Sequence, residues 1–314
     1  MPPHNILIAD GLEPSGLNIL ASSGAAVSNR EGISPAELQT ILGDYDALIV
    51  RSRTKVTASL LAAAPRLKVV GRAGVGVDTI DLEAAKTHGV IVVNSPIATT
   101  IAVAELTLAL MLDLARMTPF ADAKMKQGEW AKKQLMGAEL FGKTLGIIGV
   151  GNIGGAVAQR AAAFGMRVIG YDAWIPPERI RLNGAEPVAL EAIYAHSDYI
   201  SLHVPLTPET RGLIGTDTLA QMKPGVRLVC AARGGVIDED ALLQALESGK
   251  VAGAGLDVFG QEPPGRSPLV LHPRVVATPH IGAQTREAQE RAAVDIATEI
   301  LRALNGDDLR WRVA

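Results

Sequence analysis

Thr144-Leu145-Gly146-Ile147-Ile148-Gly149-Val150-Gly151-Asn152-Ile153-Gly154 is the stretch on which the fold turns. Thr144–Ile148 has the length and apolar character of a buried strand. It runs straight into the G-x-G-x-x-G spacing of Gly149, Gly151 and Gly154, and an alanine-rich stretch suited to a helix, Gly154–Phe164, follows. Alone the spacing is weak, because 32 glycines in 314 residues make glycine-rich turns by chance. Between a strand and a helix it predicts a turn that sets a pyrophosphate at a helix N-terminus, where unpaired N–H groups and the dipole favour an anion. Gly149 permits the tight turn, Gly151 lets backbone approach phosphate, and Gly154 lets helix pack on strand. The next expected strand, Arg167–Tyr171, ends at Asp172, 18 residues after Gly154. A carboxylate there accepts hydrogen bonds from ribose hydroxyls and repels a 2′-phosphate, so the predicted cofactor is NAD rather than NADP. The plainer alternative is a tight turn followed by a solvated aspartate.

Short apolar runs alternate with helical patterns on both sides of this unit, which predicts an α/β chain with parallel sheets. Upstream, strands are expected at Asn5–Ala9, Ala47–Val50, Lys68–Gly71 and Val90–Val93, with helices starting near Pro14, Pro35 and Thr57. Thr100–Arg116 reads as one helix with apolar residues on nearly every face, hence buried on several sides. A polar stretch, Lys124–Gln134, follows it and holds Trp130. Downstream, strands are expected at Tyr199–His203, Arg227–Cys230, Ala252–Leu256 and Val275–Thr278. A last helix, about Thr285–Leu304, is long enough to return to the first unit. The chain thus reads as two doubly wound domains. Residues 1–97 and 283–314 form a discontinuous substrate domain, and residues 98–282 form an inserted nucleotide domain.

Three polar residues follow expected strand ends in the second unit. They are Arg233 in Ala231-Ala232-Arg233-Gly234-Gly235, Glu262 in Asp257-Val258-Phe259-Gly260-Gln261-Glu262-Pro263, and His280 in Thr278-Pro279-His280-Ile281-Gly282. Ligands of such sheets bind outside the carboxyl ends of strands, so all three can face one crevice. Reduction of a 2-keto acid needs a cation for the carboxylate and a proton for the carbonyl oxygen. The planar fork of Arg233 suits the first, and His280 suits the second near neutral pH. Glu262 can orient the imidazole and favour its protonated form, and Asp257 is expected near the nicotinamide end. Singly, each has a plainer reading: a surface ion pair, a turn cap, a packed histidine.

Bulk properties narrow the field. A length of 314 residues fits two domains, and 48% hydrophobic against 20% charged residues is globular composition. The net charge of −3 gives no electrostatic case for a nucleic-acid or anionic-membrane partner. A single cysteine, Cys230, allows no internal disulfide and suits a reducing, cytoplasmic setting. Met1–Ile8 lacks a basic segment and a long apolar segment, and reads as a first strand rather than a signal peptide. Ile101–Ala115 is too short, and with Glu105 and Asp113 too acidic, for a membrane span. Six scattered histidines and a lone cysteine give no metal-ligand spacing, so no metal is expected.

The chain resembles the D-isomer-specific 2-hydroxyacid dehydrogenases over essentially its whole length. The likeness is carried by Gly71-Arg72-Ala73-Gly74-Val75-Gly76-Val77-Asp78, Gly149–Gly154, His203-Val204-Pro205-Leu206-Thr207, Ala232–Gly235, Asp257–Phe259, Glu262-Pro263 and Pro279–Ala283. The resemblance implies two Rossmann-like domains, the first flavodoxin-like, with the active site in the cleft between them. It implies Arg233, Glu262 and His280 as the catalytic trio. It implies NAD contacts at Asn152, Ile153, Asp172, Val204, Pro205, Ala231, Asp257 and Gly282, and a small-molecule 2-hydroxy or 2-keto acid meeting the backbone at Val75-Gly76. It further implies a homodimer or a dimer of dimers. Within the family the likeness is nearest to members acting on 3-phosphoglycerate, through Ile49–Thr54, Ala104–Thr107 and Trp130–Gly137. Arg51 and Arg53 would then share one side of an extended segment and bind the phosphate, with Lys132 and Lys133 adding charge. Two departures stand out: Cys230 replaces a common Asn, and Ser95–Thr100 lacks the Asn-containing form of the phosphoglycerate enzymes. The chain stops after its last helix, which leaves no regulatory serine-binding domain expected. Glyoxylate or hydroxypyruvate reduction is the alternative activity, and an NAD(H)-sensing corepressor without turnover is a third reading that needs interaction tails not found here.

Overall fold

The computed structural model describes residues 3–314, so Met1 and Pro2 of the N-terminal reading lie outside the described residues. The chain divides into two compact units, Met1–Thr100 with Ala283–Ala314, and Ile101–Gly282. The first crossing lies at residue 100.

The first unit is built on a parallel sheet of β1 (Asn5–Ile8), β2 (Ala26–Asn29), β3 (Ala47–Val50), β4 (Val69–Arg72) and β5 (Ile91–Val93), in the order β2-β1-β3-β4-β5. That is the flavodoxin-like order, with its switch point between β1 and β3. All four residues of β3 are buried, as a central parallel strand covered on both faces requires. The last helix, Arg286–Asn305, starts on Thr285, whose hydroxyl accepts from Ala288 N. It lies against β4, where a Cβ on Gly71 would come within 2.8 Å of Ile296. It also presses on the helix Pro14–Ser22, where a Cβ on Gly16 would meet the Ala293 carbonyl at 2.7 Å. Buried Glu299 accepts from Arg310 N and Trp311 N, and the tail returns to β5 through Val313 N to Val92 O, 2.7 Å.

The second unit holds a parallel sheet of β6 (Thr144–Ile148), β7 (Arg167–Tyr171), β8 (Glu186–Pro187), β9 (Tyr199–Leu202), β10 (Val226–Cys230), β11 (Val251–Leu256) and β12 (Val275–Ala277). Their order is β12-β11-β10-β9-β6-β7-β8. β6 sits at the reversal of strand order, with β7 on one side and β9 on the other. The glycine turn at its carboxyl end therefore opens at the topological switch point. The helix Thr100–Arg116 carries nine buried residues. It approaches β11 at glycines, where a Cβ on Gly255 would meet Leu110 Cβ at 2.9 Å and one on Gly253 would meet Leu114 at 3.1 Å. Among the described residues no helix is long and apolar enough to cross a membrane.

Three local expectations need correction. β2 and β8 were not foreseen; both are sheet-edge strands, four and two residues long. The helix after the glycine turn begins at Asn152 rather than Gly154, because Gly151 is already its N-cap and the first turn includes Ile153. β3 ends at Val50, so strand geometry does not continue through Arg51 and Arg53.

Candidate active site

The glycine turn is shaped by backbone contacts that exclude side chains. Gly149 has φ +91°, and a Cβ there would lie 2.6 Å from the His203 carbonyl. A Cβ on Gly154 would fall 2.0 Å from the Gly149 carbonyl, so helix and strand can meet at this distance only without one. Gly151 is different: nothing lies within 4 Å of its Cβ direction, and its φ of −72° is ordinary. The space above it is open, and the first N–H groups of the following helix have no intrahelical acceptor. An open backbone at a helix N-terminus fits a pyrophosphate. Asn152 and Ile153 lie in that first turn. Val204 flanks the turn, with Cγ1 3.0 Å from the Gly149 Cβ direction. Pro205 is exposed just beyond, its carbonyl accepting from Thr210 Oγ1 at 2.6 Å.

Asp172 closes the turn from the end of β7. Its Oδ2 accepts from Val150 N at 2.9 Å, while Oδ1 accepts from Trp174 N and Ile175 N at 2.9 and 3.0 Å. A carboxylate offers about four acceptor sites, so Oδ2 keeps room for a ribose hydroxyl. Asn183, which sequence reasoning missed, holds the same turn by donating Nδ2–H to Val150 O, 2.7 Å. No local pattern marks it, because the contact joins residues 33 apart. His203, just after β9, is half-buried, with Nδ1 sealed from solvent; loss of solvent around the ring pushes its pKa down to about 4, and Nε2 lies 2.8 Å from Ser201 Oγ.

The catalytic candidates stand on three neighbouring strand ends of the same unit. Ala231 and Arg233 follow β10, where Arg233 donates to its neighbour's carbonyl, Nη1 to Ala232 O, 2.7 Å. The Cys230 thiol donates to Arg233 O with Sγ···O 3.7 Å, so a cysteine here ties down the arginine's turn. Burial raises the Cys230 pKa, which keeps the group a thiol able to donate. The Arg233 turn packs directly on the loop after β11: a Cβ on Gly234 would lie 1.8 Å from Phe259 O. In that loop Glu262 Oε1 accepts from Phe259 N at 3.1 Å. Its other oxygen, Oε2, is 2.7 Å from His280 Nδ1. Holding Nδ1 against a carboxylate leaves Nε2 as the nitrogen free to exchange a proton. Both side chains are partly open, 49% exposed for His280 and 38% for Glu262, so substrate can reach the imidazole.

Asp257, expected near the nicotinamide end, is held by protein donors. Its side chain is fully buried. Oδ1 accepts from Thr278 Oγ1 and Ile281 N at 2.6 and 2.8 Å, and Oδ2 accepts from Gly282 N at 2.8 Å. The carboxylate thus grips both flanks of His280, and its oxygens are turned to protein.

In the first unit, Gly74 O accepts from Ser95 N and Val75 O accepts from Asn94 Nδ2 at 2.7 Å. The N–H groups of Val75 and Gly76 donate to no acceptor among the described residues. Arg53 does not join Arg51. Its guanidinium is spent on Asp10 Oδ1 (Nε, 3.1 Å), Ala9 O (2.7 Å) and Ile33 O (3.3 Å). Asp10 also takes Arg51 N, Thr54 N and Thr54 Oγ1. Arg51 donates only its backbone N–H there, and its guanidinium meets no partner among the described residues.

Residues 108–282 match the family described as "D-isomer specific 2-hydroxyacid dehydrogenase, NAD binding domain". The chain is 49% identical over 306 residues to a D-3-phosphoglycerate dehydrogenase of Rattus norvegicus, covering 98% of this chain and 57% of that one. It is also 49% identical over 303 residues to one of Methanocaldococcus jannaschii, covering 96% and 58%. The chain therefore spans less than three-fifths of these curated relatives. Among solved structures it resembles a glyoxylate reductase from Paecilomyes thermophila, with TM-score 0.92 and 33% identity, covering 100% of this chain and 99% of that one.

Proposed function

The chain belongs to the D-isomer specific 2-hydroxyacid dehydrogenase family and carries its NAD-binding domain over residues 108–282, and we propose that it interconverts a D-2-hydroxy acid and its 2-keto acid, with 3-phosphoglycerate and 3-phosphohydroxypyruvate as the pair. The observation that carries the chemistry is the 2.7 Å contact of His280 Nδ1 with Glu262 Oε2, next to the turn that bears Arg233. When bound, NAD supplies the two-electron acceptor for the hydrogen on C2. His280 Nε2 takes the hydroxyl proton in oxidation and returns it to the keto oxygen in reduction. Glu262 stabilises the imidazolium that oxidation forms. Arg233 holds the substrate carboxylate, and the N–H groups of Val75 and Gly76 are the backbone donors we assign to the substrate. Asp172 sets the preference for NAD, since a 2′-phosphate would face its carboxylate.

The phosphate falls to Arg51, because Arg53 is committed to Asp10. That commitment also favours the second reading, a glyoxylate or hydroxypyruvate reductase, which needs no phosphate site. Initial rates of NADH and NADPH oxidation with 3-phosphohydroxypyruvate, hydroxypyruvate and glyoxylate decide between them. The phosphorylated acid should give the highest kcat/KM, Arg51→Ala should lower that value alone, and NADH should exceed NADPH at least tenfold. A higher kcat/KM for glyoxylate or hydroxypyruvate would replace the first reading by the second. Preference for NADPH would remove the role given to Asp172.

We assign a second copy of the chain as the partner of residues 118–141. Met125, Trp130, Met136 and Phe141 are 55, 78, 91 and 73% exposed there. A groove of about 240 Å³ lies at Met125 and Trp130, with Ala121, Ala131 and Leu135 as its further apolar lining and Glu129 and Lys132 as its charged lining. Apolar surface gathered in this way marks an interface. Light scattering should give a dimer mass, or a multiple of it, and Trp130→Glu with Met136→Glu should give a monomer. A monomeric parent chain would remove the assignment.

A further inference from the structure

Glu239 opens the helix Glu239–Glu247, but it does not cap it. The cap is Asp238, whose side chain accepts from Asp240 N and Ala241 N. Glu239 instead reaches across to the loop after β11, where Oε1 accepts from Gly260 N at 2.5 Å. The same peptide is also packed against the Arg233 turn: a Cβ on Gly234 would lie 2.1 Å from Phe259 C and 2.7 Å from Gly260 N. The Phe259–Gly260 peptide is thus gripped between a backbone and a carboxylate. One residue earlier, Phe259 N donates to Glu262 Oε1, and Glu262 Oε2 meets His280 Nδ1. The chain of contacts runs from Glu239 through the two peptides that flank Phe259 to the carboxylate that orients the imidazole.

We propose that Glu239 is a positioning residue for the Glu262–His280 pair, fixing the Phe259–Gly260 peptide and through it the adjoining Val258–Phe259 peptide, whose N–H the Glu262 carboxylate accepts. The inference rests on the dehydrogenase reading for its catalytic consequence, though not for its geometry. Without the acceptor, Gly260 N–H is left to water and the loop gains freedom. Glu262 then spends less time against Nδ1, and the imidazolium loses part of its stabilisation. The effect needs an acceptor at the reach of a glutamate side chain, rather than a negative charge.

Three variants separate these requirements. Glu239→Gln keeps an acceptor at the same reach. Glu239→Asp keeps the charge and suits a helix N-terminus, but is one methylene too short. Glu239→Ala removes both. Two measurements are made on the full chain: the pH profile of keto-acid reduction by NADH, and the titration of the His280 ring followed by NMR in the ligand-free protein. Glu239→Gln should stay within about twofold of the parent in kcat. Glu239→Asp and Glu239→Ala should lose roughly tenfold in kcat. In both, the high-pH limb and the His280 titration should move to lower pH by about half a unit. The dissociation constant for NADH, read from its fluorescence, should change less than about twofold. A merely structural role would lower the melting temperature and leave both pH midpoints in place, and that result overturns the proposal. So does a Glu239→Gln as impaired as Glu239→Asp. If the parent turns over no 2-keto acid, the dehydrogenase reading fails by itself, and the His280 titration still decides the role of Glu239.

Discussion

His280 has φ +53°, a left-handed backbone that non-glycine residues seldom adopt and that costs roughly 1–3 kcal/mol. Asp257 supplies what holds it. Ile281 N and Gly282 N, the two amides after the histidine, both end on that carboxylate, and Thr278 Oγ1 joins them from the other side. The turn cannot relax without stranding the buried Gly282 N–H, at about 1–3 kcal/mol. On the proposed chemistry Asp257 acts through His280, by holding the turn that carries it. Asp257→Asn keeps the volume but turns one acceptor oxygen into a donor. In steady-state kinetics it should lose about 10²-fold in kcat, while His280→Ala loses on the order of 10²–10⁴. The informative variant is the double one. If Asp257 acts through His280, Asp257→Asn should add almost nothing on a His280→Ala background. Losses that multiply would show that Asp257 acts on the reaction by another route.

At the scale of elements, the unit β6–turn–helix is held by what glycine lacks. Gly154→Ala would place a methyl 2.0 Å from the Gly149 carbonyl. The helix Asn152–Ala163 must then lift off β6, or the turn must open. Overpacking of this kind costs about 1–3 kcal/mol or more. Gly154→Ala should therefore lower the melting temperature and weaken NADH binding, both seen by titrating NADH fluorescence and repeating the melt. Gly151→Ala meets open space at its Cβ direction and gives up only a glycine N-cap, worth about 0.5–1 kcal/mol, so it should melt closer to the parent than Gly154→Ala while still losing NADH affinity. Equal melting losses in the two variants would contradict this division. The same unit shows how far sequence carries. β6 and β7 end where they were expected because buried runs are bounded by turn residues. β2 is an exposed Ala-Val-Ser-Asn edge, and β8 is two residues that include a proline, so neither has the apolar pattern that marks a strand. The Glu262–His280 contact was legible from chemistry, since both residues follow strands of one sheet. The fate of Arg53 was not, because Asp10 lies 43 residues away and the strand ends just before Arg51. Asn183 and Glu239 act on backbone atoms of distant loops, which leaves no spacing signal.

Over the whole molecule, acid should act on the two units in different pH ranges. Each unit uses one aspartate to tie the start of a strand. Asp46 accepts from Asn5 N and pairs with Lys68 and Arg66 in the first unit. Asp198 accepts from Thr144 N and pairs with Lys223 in the second. Burial opposes ionisation at both, but these N–H and cationic partners outweigh it and hold both carboxyls below the ordinary value of 3.8. A carboxyl lowered on folding stabilises above its unfolded pKa and loses that contribution as pH falls through the folded one. Both units therefore weaken only below about pH 4 on this account. His203 adds a second window in the second unit alone. Burial takes it from 6.5 to about 4, so the unfolded chain binds its proton first. Its contribution is complete above pH 6.5 and drains away as pH falls toward 4, by about 1–3 kcal/mol in all. Hydrogen exchange resolved by residue, at pH 7, 5 and 4 with rates corrected for intrinsic chemistry, should show Ile101–Gly282 losing protection between pH 6.5 and 4. The sheet of the first unit should hold its protection over that range. His203→Gln keeps a polar group beside Ser201 and does not titrate, so it should flatten the loss in the second unit. Equal losses in both units above pH 4, or an unchanged slope in His203→Gln, would assign the acid sensitivity to other groups.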